Sequence, residues 1–177
     1  MGRRIDEFVT SGRLIPDSFA NEAVEGIIRR NTDAEGIILD GYPRTAGQAT
    51  HLLNNVDDSF VAINITLQRA VAIEKLLGRH TCTACHGEFN TAHIVRDHFD
   101  MPAILPNKAT CPLGSNCVPR LVQRDDDVLE VIDHRLAAYD TEVKELLAVL
   151  DSSGRLRSFE VHKGVKDVGK LYALMTT

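Results

Sequence analysis

The sequence predicts an α/β protein built on a parallel sheet, and three observations carry this prediction. Two short apolar runs, residues 36–40 (GIILD) and 60–67 (FVAINITL), have the composition of strands buried on both faces of a parallel sheet. A third strand-like run, RLRSFEV, occupies residues 155–161. Stretches with helical spacing of apolar residues separate these runs, and such alternation favours a parallel sheet covered by helices.

Helices are predicted for most of the remaining chain. The first has an apolar face formed by Ile5, Phe8 and Val9, and the second opens at Pro16-Asp17. Two more are predicted at residues 46–55 and in QRAVAIEKLLGR, and a short one closes the chain. The longest is predicted for residues 125–150, and its predicted apolar stripe consists of Val128, Ile132, Leu136, Tyr139, Val143, Leu147 and Leu150.

Residues 80–122 differ from the rest of the chain in composition and in the spacing of their apolar residues. They hold all four cysteines, four of the seven histidines and four of the six prolines, without helical periodicity. We therefore expect an irregular inserted subdomain. A length of 177 residues, 44% of them hydrophobic, fits one domain with room for such an insertion.

The cysteine spacing favours a metal over disulfides. Cys82-x2-Cys85 is a spacing at which two thiolates share one tetrahedral ion, whereas the second pair is Cys111-x5-Cys117. No secretory signal precedes the cluster, which lowers the expectation of disulfides. Four reduced cysteines that bind no metal are the alternative. Nearby histidines that could replace a thiolate are His80, His86, His93 and His98.

Charge and hydropathy limit the classes of partner. The formal net charge is −5, so no basic field points to nucleic acid or to an anionic membrane. No apolar run approaches the length of a membrane span. Arginines outnumber lysines by fourteen to six; this bias suits phosphate binding, although ordinary surface arginines explain it equally well.

The most informative run is GIILDGYPRTAGQ, residues 36–48. Asp40 lies at the carboxyl end of a predicted strand, where open α/β sheets bind ligands, and could hold Mg²⁺ through water. Arg44 follows in a tight turn before a helix, a position from which it could grip a phosphate with two hydrogen bonds. A strand, a proline turn and a solvent-exposed arginine would produce the same pattern.

Four motifs in order resemble those of the adenylate kinases, a family of nucleoside monophosphate kinases. Residues 40–45 (DGYPRT) with Gln48 resemble its signature, and residues 11–17 (SGRLIPD) resemble the link between two helices of its monophosphate-binding region. Residues 77–79 (LGR) resemble the segment that precedes the lid, a subdomain inserted into the core of these kinases. Residues 124–127 (RDDD), with Arg135 and Tyr139, resemble the segment after it.

The resemblance covers nearly the whole chain and implies a parallel-sheet P-loop kinase fold with an inserted lid subdomain. The implied division is monophosphate-binding helices at 1–35, a first core part at 36–79, the lid at 80–123 and a second core part at 124–177. The implied reaction is ATP + AMP ⇌ 2 ADP with Mg²⁺, so the expected partners are ATP and AMP.

The AMP site that the resemblance implies centres on the turn after residue 40. Arg44 would bind the α-phosphate of AMP, and Gln48 would bind its adenine. Gly41 belongs to the same turn, and Asp40 is the implied catalytic carboxylate. The backbone of Arg13, Leu14 and Ile15 would line the adenine pocket.

The resemblance also implies a second group of functional residues. Arg79, Arg124 and Arg135 would neutralise the transferring phosphoryl group, with Arg124 and Arg135 also contacting AMP. Converging arginines suit phosphoryl transfer because that reaction depends on positioning and electrostatics. Asp126 and Asp127 would make hinge and lid contacts.

Two residues are expected near ATP. Lys75 stands where relatives have an arginine stacked on adenine, and a lysine cannot stack as a plane. Phe89 could supply an aromatic face instead, or serve in the core of the lid.

Zinc-bearing lids of this family place a cysteine at the distance that separates Cys117 from Arg124. The resemblance therefore implies one structural Zn²⁺ held by Cys82, Cys85, Cys117 and either Cys111 or a nearby histidine. Cys111 is the displaced member, with three extra residues in its loop.

The phosphate-binding loop G-x-x-x-x-G-K-[ST] does not occur in these 177 residues. Gly164 to Lys170 match its first seven positions, but Leu171 supplies no hydroxyl for Mg²⁺. In relatives the loop lies at the start of the chain, so we expect an N-terminally truncated enzyme that lacks a central strand and is nearly inactive alone. The compartment would be the cytoplasm or an organelle matrix, with any targeting segment upstream.

Two rival functions stay open. One is a non-catalytic pseudoenzyme that binds nucleotide or zinc, which the missing loop favours. The other is a UMP/CMP kinase, which the long cysteine-bearing lid disfavours.

Overall fold

The structure, a computed structural model, describes residues 16–56 and 60–176. The helix predicted from Ile5, Phe8 and Val9 lies outside this range, as do the predicted adenine-pocket residues Arg13, Leu14 and Ile15. The helices are α1 (Asp17–Arg30), α2 (Ala46–Asn55), α3 (Arg69–Leu77), α4 (Leu129–Ser152) and α5 (Val168–Thr176). The strands are β1 (Ala62–Thr66), β2 (Arg79–Cys82), β3 (Glu88–Asn90), β4 (Ile94–Arg96), β5 (Phe99–Met101), β6 (Leu121–Gln123) and β7 (Leu156–Glu160).

The predicted α/β fold with parallel pairing is confirmed by β1 and β7. These two strands are neighbours in one sheet. The amide of Ala62 donates to the carbonyl of Arg155, and the amide of Val161 donates to that of Thr66. Because both strands advance in the same direction between these two bonds, the pairing is parallel.

The segment GIILD, residues 36–40, is not a strand, and this prediction was wrong. Its backbone takes no regular structure, and Ile37 and Ile38 are 39% and 79% exposed. A strand exists only where a neighbouring strand accepts and donates its ladder hydrogen bonds. Within residues 16–56 and 60–176 no strand pairs with this segment, so its apolar composition alone does not order it.

The described chain separates into two compact units. The first consists of residues 16–56, 60–62 and 140–156, and the second of residues 63–139 and 157–176. The core of the first unit contains buried Ala49, Leu146 and Leu150, packed against four partly buried side chains, those of Phe60, Ala62, Val149 and Leu156. Helix α1 also contacts α2 in this unit.

The second unit contains the cysteine-bearing segment, which has more regular structure than expected. Strand β2 lies between β3 and β6 in an antiparallel sheet, and β4 pairs with β5 in a hairpin. Strands of three or four residues are too short to show alternation in the sequence. A core cluster joins Val71 of α3 to Ile94, Phe99 and Met101 of the hairpin.

The stripe predicted along α4 is only partly correct. Ile132 and Leu150 are buried, but Val128 and Tyr139 are 49% and 52% exposed. Val128 precedes the helix, and a stripe spaced at 3.5 residues drifts by roughly 20° per heptad around a 3.6-residue helix. Leu146, which is not a member of the predicted stripe, is buried, whereas the predicted Leu147 is only partly buried.

No helix within the described residues has the length and apolarity that a membrane crossing requires.

Candidate active site

Residues 40–48, which form a turn and the first residues of α2, present Arg44 at the surface of the first unit. Gly41 has φ +75°, a left-handed backbone conformation that favours glycine, and its Cα lies close beneath the guanidinium of Arg44. Nε of Arg44 donates to the carbonyl of Gly41 at 2.8 Å. Among hydrogen bonds between described residues, the guanidinium makes only this one. Its two Nη groups therefore remain available as donors to an anion.

Gln48 is buried beneath the turn, with 6% of its surface exposed. Its Oε1 accepts from the amide of Arg44 at 2.7 Å, and its Nε2 donates to Oδ1 of Asp17 at 2.8 Å. An amide side chain has a second N–H and a second oxygen lone pair. Gln48 thus fixes the backbone of Arg44 and still has hydrogen-bonding capacity for a base.

Asp17 organises this turn, and sequence reasoning missed it as a site residue. Its Oδ2 accepts from Oγ1 of Thr45 at 2.8 Å while its Oδ1 accepts from Gln48. Thr45 in turn caps α2 by accepting from the amide of Gln48. A Cβ atom at Gly47 would lie 2.8 Å from the same carboxylate. The signal was present, since Asp17 ends the SGRLIPD motif.

Asp40, the predicted magnesium carboxylate, is exposed at the start of the turn. Tyr42 lies in the same turn, and its hydroxyl donates to Oδ1 of Asn21 on α1 at 2.7 Å. Burial raises the pKa of the Tyr42 hydroxyl, with Asp17 adding to the shift. The hydrogen bond between Tyr42 and Asn21 is a second link between the turn and α1, in addition to the bonds that Asp17 accepts.

Arg79 is held by a buried carboxylate in the second unit. Its Nε and Nη2 donate to Oδ2 and Oδ1 of Asp127 at 2.8 and 2.6 Å, and Asp127 is fully buried. Gln123 links the same region by donating to the carbonyls of Leu77 and Asp127. Strand β2, which begins at Arg79, is thereby fixed to the segment that precedes α4.

Arg124 and Arg135 share one carboxylate. Arg124 donates to both oxygens of Asp126 at 3.0 and 3.2 Å, and Nη1 of Arg135 donates to Oδ2 at 3.2 Å. The hydrogen bond from Arg124 lowers the pKa of Asp126. The structure therefore brings these two predicted site residues together, and both side chains are about half-exposed. Their shared partner, Asp126, immediately precedes the Asp127 that binds Arg79.

A cleft of about 520 Å³ opens beside Arg124. It is lined by Thr81, Val122, Gln123, Arg124, Asp125 and Asp126. The lining combines one guanidinium with two carboxylates, so an anion entering this cleft would need to displace Asp126 from Arg124.

Lys75, the predicted ATP contact, is engaged with backbone. Its Nζ donates to the carbonyls of Ala92 and Met101 at 2.8 and 3.4 Å, and burial lowers the pKa of its amine. Asn90 donates to the carbonyl of Lys75 at 2.8 Å. A second cavity of about 230 Å³ lies here, with Leu67, Lys75, Met101, Ile104, Val161 and Val165 among its lining.

Phe89 is 4% exposed and packs against the cysteine cluster. Buried sulfur and apolar atoms cover the ring, so Phe89 lies in the core of the cysteine-bearing segment.

Four cysteines converge within residues 80–123, the segment predicted to be a lid. The sulfurs of Cys82, Cys85 and Cys117 lie within 4.8 Å of one another, and Sγ of Cys111 is 2.8 Å from Sγ of Cys117. The last residue of β2 and the turn that follows it supply Cys82 and Cys85, and the amide of Ala84 donates to Sγ of Cys82 at 3.4 Å. All four thiols are free.

This donor set fits a structural zinc ion. Four sulfurs match a closed tetrahedral site, in which two thiolates about 2.3 Å from the metal are about 3.8 Å apart. Cys111 and Cys117 would separate by about 1 Å to reach that spacing. A hydrogen bond from the Cys85 amide lowers the pKa of Cys82 to about 7, which favours a thiolate. The hydrogen bond with Cys111 raises the pKa of Cys117.

The Gly164–Lys170 segment does not form a phosphate-binding loop. Residues Gly164–Asp167 form a short 3₁₀ helix, and the buried carboxylate of Asp167 accepts from the amides of His162 and Lys163 at 2.9 and 2.5 Å. A carboxylate at this position repels phosphate, in agreement with the sequence argument against this segment.

Comparison with known proteins identifies the class to which this fold and these residues belong. A sequence model of the family described as adenylate kinase matches residues 1–155. The chain therefore belongs to the adenylate kinase family, whose members are phosphotransferases.

Individual relatives cover almost all of the chain. It is 33% identical to the GTP:AMP phosphotransferase of Plasmodium falciparum (isolate 3D7), over 99% of this chain and 76% of that protein. It is 33% identical to an adenylate kinase of Borrelia turicatae (strain 91E135), over 96% of this chain and 75% of the relative. Identity to adenylate kinase 1, chloroplastic, of Arabidopsis thaliana is 31%, over 94% of this chain but only 59% of the plant protein.

Proposed function

We propose that this chain supplies the AMP-binding and phosphoryl-binding residues of an adenylate kinase-type phosphotransferase. The observation that carries the proposal is the turn at residues 40–48, where Gly41, Gln48 and Asp17 hold Arg44 with both Nη groups available. An exposed guanidinium whose backbone is fixed loses little freedom on gripping a phosphate. AMP would place its α-phosphate on Arg44 and its base near the remaining donor and acceptor of Gln48.

The arginines of the second unit would bind the transferring phosphoryl group. Arg124 and Arg135 each donate to Asp126, so a phosphate could take the place of that exposed carboxylate. Arg79 is tied to buried Asp127 by two hydrogen bonds and would keep its orientation during turnover. Mg²⁺ would be bound with the triphosphate, and Asp40 is the proposed carboxylate near it.

The donor nucleotide is ATP or GTP. Lys75 takes the place of a stacking arginine, and its ammonium is already shared between two carbonyls. With its ammonium engaged in this way, Lys75 is a poor candidate for selecting adenine as the base of the donor nucleotide. A relative that this chain matches over 99% of its length is named as a GTP:AMP phosphotransferase, which makes GTP the second candidate.

Zinc would be structural in this protein. Cys82, Cys85, Cys117 and Cys111 provide four protein ligands, which leaves no position for substrate. The metal would join the β2–β3 turn to the loop before β6. The proposed compartment is the cytoplasm or an organelle matrix, and several relatives are named as chloroplastic.

A coupled assay of ADP formation tests the reaction. ATP and GTP would each be paired with AMP, UMP and CMP, using the 177-residue chain and the same chain extended by a relative's strand, P-loop and helix. We expect near-zero turnover from the 177 residues, since they contain no G-x-x-x-x-G-K-[ST] sequence. The extended protein should accept AMP far better than UMP or CMP.

The assay also separates the rivals. A preference for UMP or CMP would favour the UMP/CMP kinase. AMP binding by the extended protein without turnover would favour a pseudoenzyme. Absence of both AMP binding and turnover in a folded extended protein would refute the proposal.

A further inference from the structure

A second cluster of metal-ligating side chains lies outside the cysteine site. His98, Glu160 and His162 place one potential ligand atom each within 4.8 Å of the others. Glu160 ends β7 and His162 follows two residues later, whereas His98 lies in the turn of the β4–β5 hairpin. All three belong to the second unit.

Local structure brings these side chains to one spot. In extended chain, residues two apart project from the same face, which puts Glu160 and His162 together. Asp97, with φ +52°, makes the tight hairpin turn that projects His98. The amide of Asp100 donates to the carbonyl of His162 at 3.0 Å, so the hairpin lies directly against the chain that leaves β7.

Aromatic packing fixes the orientation of both imidazoles. The rings of His98 and His162 are 4.6 Å apart at 87°, and both contact buried Phe99, at 4.3 and 5.6 Å between centroids. Phe99 is 2% exposed within the core cluster of the unit. Two histidines restrained in this way lose little further freedom when they bind a common ion.

We propose that His98, Glu160 and His162 form a surface binding site for a divalent transition metal, with Zn²⁺ the best match. Two imidazoles and one carboxylate are ligands that suit zinc and disfavour Mg²⁺ or Ca²⁺. Nε2 of His162 is 3.4 Å from the nearer carboxylate oxygen of Glu160. Ligands about 2.0–2.1 Å from a tetrahedral zinc are separated by about 3.4 Å, so this pair is already at ligand spacing.

Three protein ligands leave the fourth position to water or to an external ligand, unlike the closed cysteine site. The ion would link the β4–β5 hairpin to the segment after β7. Lys166 and Asp100 already make such a link through an ion pair of 2.8 Å. Val161 and Lys163, which flank His162, line the 230 Å³ cavity, so metal binding would restrain one wall of that cavity.

Zinc titration of the full 177-residue chain, preloaded with one equivalent so that the cysteines are occupied, tests this site. Binding would be followed by calorimetry and by NMR of the histidine ring resonances. We expect one further equivalent to bind, with the His98 and His162 signals shifting and the His134 signal unchanged. Co²⁺ added to the zinc-loaded protein should give a spectrum without thiolate-to-metal bands.

Matched variants assign the ligands. His98→Ala and Glu160→Gln should each weaken the second equivalent by about tenfold or more, since the loss of even an outer-shell partner has effects of that size. His134→Ala removes an exposed histidine on α4 and should leave both equivalents unchanged. Because His98 and Glu160 are exposed, their replacement should not prevent folding.

The opposite results are equally clear. A second equivalent that persists in both His98→Ala and Glu160→Gln would place the metal elsewhere. If the His98 and His162 signals of the wild-type chain shift neither with the first equivalent nor with further zinc, the histidines serve only in packing against Phe99. Either result would overturn the site without affecting the proposed phosphotransfer, which uses none of these residues.

Discussion

Arg79 and Asp127 form a two-point ion pair in which the carboxylate is fully buried and the guanidinium one-quarter exposed. The pair joins the first residue of β2 to the segment that leads into α4. Because Asp127 has no contact with solvent, Arg79 is its main compensation for lost hydration. A residue predicted for phosphate chemistry therefore also has a structural role.

Arg79→Met is expected to lower the free energy of unfolding by about 3–5 kcal/mol, because it leaves a buried carboxylate without its cation. Urea denaturation of the zinc-loaded chain would measure this. Arg96→Ala is the matched control, since Arg96 pairs with Glu74 where both are over 40% exposed and such pairs contribute about 0–1 kcal/mol. Equal effects from the two substitutions would contradict the structural role of Arg79.

Replacement of both partners, Arg79→Met with Asp127→Leu, should recover much of the stability lost in Arg79→Met. The double variant should still lose phosphotransfer in the extended protein if Arg79 binds phosphate. Full activity of the double variant would assign Arg79 to structure alone.

The sequence predicted those elements whose pattern is local. Helices α1 and α2 match the predicted residues because apolar spacing and caps such as Thr45 are written in neighbouring positions. The strand predicted at residues 36–40 is not observed, because a strand forms only beside a pairing partner, and the local sequence does not specify that partner. Asp17 was missed for a similar reason: its bonds to Thr45 and Gln48 cross about thirty residues of chain.

Arg44→Ala is expected to weaken AMP binding and, in the extended protein, to lower kcat/KM by about 10²-fold or more. A charge-assisted hydrogen bond contributes about 1.5–3 kcal/mol, and two would be lost. Calorimetry with AMP and the coupled assay are the measurements. Arg29→Ala, an exposed arginine on α1 that pairs with Glu25, is the control. An Arg44→Ala variant within threefold of wild type would remove this residue from the site.

Lys75→Met is expected to loosen the region around the 230 Å³ cavity, because the carbonyls of Ala92 and Met101 each lose a donor. A partly buried carbonyl that is left without a hydrogen-bond donor lowers the free energy of unfolding by about 1–3 kcal/mol. Amide hydrogen exchange of residues 90–104 should rise, while that of α2 should not. Lys75→Arg, which retains a donor, should behave closer to wild type; exchange unchanged in Lys75→Met would show that these bonds contribute nothing.

Occupancy of the cysteine cluster gives the last prediction. Protein purified without chelator should contain one tightly held zinc per chain, bound by Cys82, Cys85, Cys111 and Cys117, in addition to any weaker zinc at His98. Removal with a strong chelator at neutral pH should lower Tm, because the ion adds a four-ligand link between two segments that also pack around Phe89 and share the hydrogen bond from the Thr83 amide to the Arg120 carbonyl.

Acidification should release the same ion, since protons compete for the thiolates and zinc binds only the deprotonated form. Cys82→Ser should reduce the tightly held zinc well below one equivalent, whereas Cys111→Ser tests the fourth ligand directly. If Cys111→Ser retains full occupancy and Tm, a neighbouring histidine or water completes the tetrahedron. Less than a tenth of an equivalent in the wild-type chain would contradict zinc binding by the four cysteines, and the converging thiols would then be a reduced core.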